Sequence, residues 1–308
     1  MSSERAHLAL VGTTATGKSA LALAVAAELG DVEIVSVDSM QVYRGMDIGT
    51  AKPTPAERDA IPHHVLDVAD PGDDFSVRRF QHLAGEAIAG IESRGRRALL
   101  VGGTGLYYQA VVDGLTPPGR DADLHETLDA RADEELPEMF AELSRLDPVA
   151  AGRIEPGNRR RVVRALEVTL ATGRPFSSFG PGLFAGSGSL SVDSVGVWLP
   201  RPVTARRITD RVADMERHGL VDEVRRLAGA PGGLSRTARQ AIGYKEVCDH
   251  LEGIGTLEAA LSRAADRTRA LARRQRMWFR RDPRIRWLGT TENPLAVLPA
   301  LLATWTKS

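Results

Sequence analysis

The chain has 308 residues, 43% of them hydrophobic and 26% charged, enough for one large globular domain or two smaller ones. Its one cysteine, Cys248, excludes an internal disulfide and a cysteine-rich metal site and suits a reducing compartment. The formal net charge is zero but unevenly spread: residues 1–150 carry 13 Lys and Arg against 25 Asp and Glu, and residues 151–308 carry 27 against 15. That asymmetry is read either as a polyanionic partner on the basic half or as charge scattered over solvated helices.

In chain order, MSSERAHLALVG has no cleavable apolar segment of signal-peptide length. No run of about 18 apolar residues follows it anywhere, so a cytoplasmic chain without membrane spans is expected. HLALV (7–11) reads as a strand running into GTTATGKS (12–19). A helix is predicted from about Lys18 to Leu29, ended by Gly30. VEIVSV (32–37) reads as a second strand ending at Asp38. Residues 38–74 read as one long loop rich in Pro, Gly and Asp, and loops of that length are usually functional or disordered. Ser76 suits the cap of a helix reaching about Arg94, and RALLVGG (97–103) reads as a third strand opening into TGLYYQAVV. Strands are also expected at 194–199 and 284–289, and helices at 203–228, 240–251, 256–281 and 293–304.

From about Gly114 the pattern turns wholly helical, and Gly and Ser crowd 180–191 as in a linker. The expected architecture is a P-loop-containing, doubly wound parallel α/β sheet with a helical insertion domain. The core spans 1–113 and 190–308, and the insertion spans 114–189.

The chemistry starts at the glycine-rich loop. Gly12, Gly17, Lys18 and Ser19 have the G-x-x-x-x-G-K-[ST] spacing of a phosphate cradle, and Thr13, Thr14, Ala15 and Thr16 complete the loop. Its N–H groups can point at phosphate oxygens, Lys18 adds a point charge, and the Ser19 hydroxyl suits Mg²⁺. Many P-loop NTPases carry a metal-binding carboxylate at the end of a second strand. Here ALLVGGTG ends in glycines and the hydroxyl of Thr104, and the carboxylate, Asp38, follows a different strand. A phosphate cradle, one hydroxyl and one carboxylate suit activation of an incoming nucleophile as well as hydrolysis. Asp38 also suits a turn or cap, and Thr104 suits the N-cap of 105–112.

Seven motifs, GTTATGKS (12–19), DSMQVYRGMDIGTAKP (38–53), PHH (62–64), GGTGLY (102–107), RRVVRALEV (160–168), RQAIGYKE (239–246) and RTRALARRQRMWFRRD (267–282), resemble those of the tRNA dimethylallyltransferases. The resemblance covers nearly the whole chain. It implies transfer of a dimethylallyl group from dimethylallyl diphosphate to N6 of the adenosine 3′ of the anticodon, with Mg²⁺ and release of diphosphate. It implies that Lys18, Ser19 and Arg211 meet the diphosphate, that Asp38 is the general base and that Thr104 meets the bridging oxygen. Asp38, Ser39, Met40 and Gln41 would meet the flipped adenine and its neighbours. Arg159, Arg160, Arg161, Arg239, Lys245, Arg269 and Arg273 would meet the anticodon stem-loop.

Residues 263–286 hold ten arginines, opposed by Asp266 and Asp282. On a helical wheel Arg263, Arg267, Arg274 and Arg281 form one stripe, and Arg269, Arg273, Arg276 and Arg280 a second. Ala264, Leu271 and Trp278 recur every seven residues and are expected to pack inward, with Phe279 as a core anchor. The two stripes read as an electrostatic track for RNA backbone. The chain departs from the family pattern at Thr13, where proline is frequent, and at His125, where an arginine usually contacts tRNA. His63 and His64 lack metal-ligand spacing and read as structural. A nucleotide or small-molecule kinase with a helical lid shares the loop and the insertion but gives the arginine helix no task. A P-loop RNA-binding switch without group transfer is the third reading. Nothing in the sequence demands a dimer, and a monomer is expected.

Overall fold

The computed structural model describes residues 6–115, 118–179 and 189–306. The chain divides into two compact units, Met1–Val112 with Gly188–Ser308, and Asp113–Ser187. Positions 180–188 of the expected linker lie outside the described residues.

The larger unit is built on β1 (His7–Gly12), α1 (Lys18–Leu29), β2 (Val32–Val37), α2 (Pro55–Ala60), β3 (His63–His64), α3 (Val77–Ser93), β4 (Arg97–Gly102) and α4 (Gly105–Val112). The smaller unit holds α5 (Ala122–Arg131), α6 (Leu136–Leu146), α7 (Pro148–Ala151) and α8 (Arg159–Thr172). The chain then completes the larger unit with β5 (Val192–Trp198), α9 (Arg201–Arg217), α10 (Leu220–Ala228), α11 (Arg236–Arg239), α12 (Tyr244–Leu251), α13 (Leu257–Phe279), β6 (Arg286–Gly289) and α14 (Leu298–Trp305).

Among the described residues six parallel strands form one sheet in the order β3-β2-β4-β1-β5-β6. The doubly wound α/β reading of the sequence is therefore correct. The central strands are buried on both faces, so their residues alternate between two cores. Leu8, Leu10, Val32, Ile34 and Leu99 face a layer made with Leu21 and Val25 of α1 and Leu301 and Trp305 of α14. Ala9, Val11, Val35, Val37, Ala98 and Leu100 face the other, with Phe80, Tyr108, Tyr244 and Phe279. In register, Leu10 lies beside Val101, and Val37 beside Gly102. The carboxyl ends of β2, β4 and β1 are thus neighbours at one sheet edge, where ligands of open α/β sheets bind.

Two expected elements differ. The helix predicted over 203–228 is two helices, because Gly219 takes a left-handed φ of 96° between α9 and α10. The predicted loop 38–74 contains α2 and β3, and buried polar groups hold it in place. Lys52 Nζ donates to Tyr43 O at 2.7 Å and pairs with Asp47 and Asp67 at 2.6 Å each. Buried Glu223 of α10 accepts from the N–H groups of Asp47, Ile48 and Gly49 at 3.0, 2.9 and 3.2 Å, and from the Tyr244 hydroxyl.

The smaller unit has its own core of Leu128, Met139, Leu143, Ile154, Val162, Val163 and Leu166. Asp121, Asp147 and Asn158 cap α5, α7 and α8 through their side chains.

Candidate active site

The loop between β1 and α1 opens a cavity of about 560 Å³ lined by Thr14, Lys18, Ser19, Asp38, Arg211 and Gln275, among others. The loop closes on itself and on two distant helices. Thr16 Oγ1 donates to Thr13 O at 2.8 Å, and Lys18 Nζ donates to the same carbonyl at 2.6 Å. Arg207 Nε of α9 donates to Ala15 O at 2.9 Å, while Ala15 itself sits at a left-handed φ of 62°. Gly17 is also left-handed, and a Cβ there would lie 2.4 Å from the Pro294 ring. Ser19 is exposed at the head of α1.

Burial and the neighbouring Arg211 guanidinium pull the Lys18 ammonium down to about 7, against the opposing influence of the Asp38 carboxylate. Burial likewise lowers Arg211, with Asp38 again opposing. Two half-buried cations and one carboxylate therefore share one cavity, an arrangement that favours a multiply charged anion between them.

Asp38 Oδ1 accepts from Met40 N at 2.8 Å and Gln41 N at 3.3 Å, an Asx turn that fixes the carboxylate. Its Oδ2 accepts no bond from the described residues and stays available to a proton donor. Thr104 Oγ1 accepts from Ser39 N at 3.2 Å, so the ends of β2 and β4 are joined through that hydroxyl. The turn alternative for Asp38 holds alongside a site, whereas the Thr104 hydroxyl is engaged by Ser39 and it is the Thr104 carbonyl that begins α4, accepting from Tyr107 N and Tyr108 N at 3.0 Å. Gln41 lines the cavity, but its amide is engaged by Ser36 Oγ at 2.8 Å and by Thr50 O and Ala51 O at 3.2 Å each. Met40 is half-buried against the main core. His63 lines the cavity too, with Nδ1 bonded to Ile61 O at 2.7 Å, whereas His64 bonds Glu33 at 2.7 Å.

The expected RNA-facing residues fall into two groups. Arg160 and Arg161 on α8, and Arg273 on α13, are exposed and make no ion pair among the described residues. The others are engaged within the chain. Arg159 pairs with Asp129 and Asp133, Arg239 with Glu252 at 2.6 Å, Lys245 with Asp249 at 2.8 Å and Arg269 with Asp266 at 2.9 Å. His125 Nδ1 bonds buried Glu167 at 2.8 Å, so its ring has a structural partner inside the smaller unit. The α13 stripes are also less uniform than the wheel suggests. Arg267 pairs with buried Glu246, and Arg276 donates to Leu199 O at 3.0 Å, so these two fasten the helix to the body. Phe279 is buried as expected, while Trp278 is half-buried against Gly105.

Sequence reasoning missed Gln275, Arg207, Lys52 and Glu223. Glu223 carried a signal: it lies on the apolar side of α10 with Leu220, Val224 and Leu227, where an acid needs buried donors.

A parallel sheet with a phosphate loop after its first strand, and a carboxylate and a hydroxyl at adjoining strand ends, defines a P-loop α/β enzyme. Residues 41–282 match the family described as IPP transferase, and residues 5–67 match isopentenyl transferase. The tRNA dimethylallyltransferase of Bifidobacterium longum is 45% identical over 94% of this chain and 90% of its own. The tRNA isopentenylpyrophosphate transferase of Bacillus halodurans has a similar structure, with a TM-score of 0.71, 37% identity and coverage of 99% of this chain and 98% of its own. A eukaryotic dimethylallyltransferase acting on tRNA aligns with a TM-score of 0.78 and 27% identity over 97% of this chain and 78% of its own. The chain belongs to the tRNA dimethylallyltransferase family and is a prenyltransferase enzyme. The kinase reading is not favoured. Among the described residues no helix is long and apolar enough to cross a membrane.

Proposed function

We propose that the cavity grips the diphosphate of dimethylallyl diphosphate while N6 of a tRNA adenosine, 3′ of the anticodon, attacks the allylic carbon. The observation that carries this reading is the convergence of Lys18, Arg211 and Asp38 on one cavity beside the phosphate loop. As the allylic C–O bond breaks, its electron pair leaves with diphosphate. Loop N–H groups, Lys18 and Arg211 stabilise the growing charge more in the transition state than in the ground state. Thr104 Oγ1 accepts from Ser39 N at 3.2 Å and donates to Ser39 Oγ only at a long 3.5 Å, a weak bond that its proton gives up for the bridging oxygen. The nitrogen lone pair forms the new N–C bond, and Asp38 Oδ2 takes the N6 proton and later yields it to water.

Mg²⁺ suits this site. Ser19 offers a hard oxygen donor at the cavity beside the phosphate loop, and substrate phosphate oxygens and water would supply the remaining ligands. Mg²⁺ commonly keeps waters and takes substrate phosphate oxygens, and Ser19 Oγ would hold it while it neutralises leaving-group charge.

The adenine leaves its stack to reach Asp38, with Ser39, Met40 and Gln41 lining its approach. Arg160, Arg161, Arg273 and the arginines beside it meet phosphates of the anticodon stem-loop, and the enzyme works as a cytoplasmic monomer. Incubation with dimethylallyl diphosphate, ATP and unmodified tRNA tests the reading. Prenylated adenosine and diphosphate are expected, with ATP untouched; ATP consumption without prenyl transfer would refute it.

A further inference from the structure

Gln275 lies between Arg274 and Arg276 on α13 and reaches back into the cavity. Its Oε1 accepts from Thr14 N in the phosphate loop at 2.8 Å, and its Nε2 donates to Gly103 O at 3.0 Å. One amide thus ties three pieces together: the loop after β1, the end of β4 that leads to Thr104, and α13. A Cβ at position 103 would lie 2.4 Å from Gln275 Nε2, so the glycine there keeps the amide's seat open.

The loop receives part of its rigidity from outside. It has Thr13 where the resembling family often has proline. Its backbone is held by Gln275 from α13 and by Arg207 from α9. The turn of α13 that carries Gln275 also carries Arg273 and Arg274, both exposed and without an ion pair among the described residues. These are the cations on that turn available to an RNA phosphate.

We infer that Gln275 is a positioning residue that couples RNA held on α13 to the phosphate loop, so that RNA and diphosphate strengthen each other's binding. The inference rests on the proposed reading that the loop holds diphosphate. RNA that clamps Arg273 and Arg274 fixes this turn, and through two hydrogen bonds the Thr14 and Gly103 backbone. The second ligand then meets a loop that is already set, which lowers the ordering cost of its binding. By linkage the effect is reciprocal.

The test titrates inorganic diphosphate with Mg²⁺, by calorimetry, with and without an unmodified anticodon stem-loop RNA. For the wild type RNA should tighten diphosphate by about 5-fold or more, and diphosphate should tighten RNA by the same factor. Gln275→Met keeps the side-chain length but loses both bonds, and its ratio should fall to near one while RNA binding alone is retained. Gln275→Glu keeps an acceptor for Thr14 N. It loses the donor to Gly103 O and turns a carboxylate oxygen toward that carbonyl, so its ratio should fall between those of the wild type and Gln275→Met. A loss of fold would not by itself bring the ratio to one, so the ratio separates positioning from a structural role. Should Gln275→Met fail to melt cooperatively, Gln275→Leu takes its place. A wild-type ratio of one, or an unchanged ratio in the variant lacking both bonds, would overturn the coupling. Absence of any diphosphate binding by the wild type would instead overturn the donor-site reading, and the coupling with it.

Discussion

Thr104 Oγ1 accepts the backbone N–H of Ser39 at 3.2 Å, a bond between the ends of two adjacent parallel strands. The same hydroxyl donates to Ser39 Oγ at 3.5 Å, a long bond that its proton would exchange for the bridging oxygen of a bound diphosphate. Thr104→Val should therefore slow single-turnover prenyl transfer by about 10²-fold or more, in the range of a lost leaving-group donor. Thr104→Ser should restore most of the rate, since it keeps the hydroxyl. Equal rates for the valine and serine variants would show that the hydroxyl serves only the Ser39 bond.

Asp38 presents one oxygen to its own turn and leaves the other free. Asp38→Ala should cut the chemical step by about 10²–10⁴-fold, the span of a lost general base, with little change in diphosphate affinity. Rapid-quench measurement of the chemical step, paired with a diphosphate titration, separates the two effects. A near-normal single-turnover rate would remove Asp38 from the proton transfer.

The sheet was legible because its strands obey period-2 burial and each ends in a recognisable turn. Leu8 and Leu10 go one way, Ala9 and Val11 the other, and the loop glycines follow at once. The strand ends bearing Asp38 and Thr104 could be placed beside the loop from topology alone. The segment 38–74 could not be folded from sequence, because Lys52 and Glu223 order it through bonds reaching up to 176 positions along the chain. Gln275 was hidden for a similar reason. Its partners, Thr14 and Gly103, are 261 and 172 positions away, and an amide among arginines carries no periodic signal. The arginine wheel gave the direction of each side chain but not its partner, so Arg267 and Arg276 looked like part of the track.

Lys18 offers a pH signature. Its ammonium titrates near 7 in the folded chain, against an ordinary value of 10.5, mainly through burial and then through Arg211. Between about 7 and 10.5 the unfolded chain holds a proton that the folded chain lacks. Stability from this group therefore rises with pH across that window, and the destabilisation is complete below it. Lys18→Met loses the bond to Thr13 O but also the buried charge. It should melt about 2 °C or more above wild type at pH 7, with the gap closing toward pH 10.5, while prenyl transfer collapses. Thermal melts of both proteins across that pH range check it, and a gap independent of pH would contradict the shifted lysine.

Glu223 satisfies three consecutive backbone N–H groups and the Tyr244 hydroxyl from a buried position. Glu223→Ala leaves four donors without an acceptor, each costing about 1–3 kcal/mol when buried. Partial rehydration of the 47–49 turn reduces the sum, so a loss of about 3 kcal/mol is expected in urea unfolding. Because this turn belongs to the segment that begins at Asp38, prenyl transfer should fall as well, and amide exchange should quicken at Asp47, Ile48 and Gly49. Unchanged exchange at those three amides would show that the turn holds without its carboxylate.

The arginines separate into those paired within the chain and those exposed without an ion pair among the described residues, and salt titration tests whether the second set meets RNA. Arg273 and Arg274 are exposed without ion pairs among the described residues, whereas Arg239 is paired with Glu252 and sits 3.9 Å from Asp249. Phosphate pairing sets register and carries little sequence information. Replacing Arg273 and Arg274 with alanine should therefore weaken binding of all tRNA substrates about equally. The slope of log affinity against log salt should become shallower by about 0.7–0.9 for each phosphate that is no longer neutralised. The melting temperature should not move, and the maximal rate at saturating tRNA should change far less than the affinity, because the residues around the diphosphate remain. Arg239→Ala should do the reverse. An exposed pair contributes about 0–1 kcal/mol, so stability drops slightly and the salt slope holds. If Arg239→Ala flattened the slope as much as the loss of Arg273 does, the ion pair with Glu252 would have to open onto RNA phosphate. The basic surface would then extend from α13 across α11 and α12, and the division between fold-holding and RNA-facing arginines would fail.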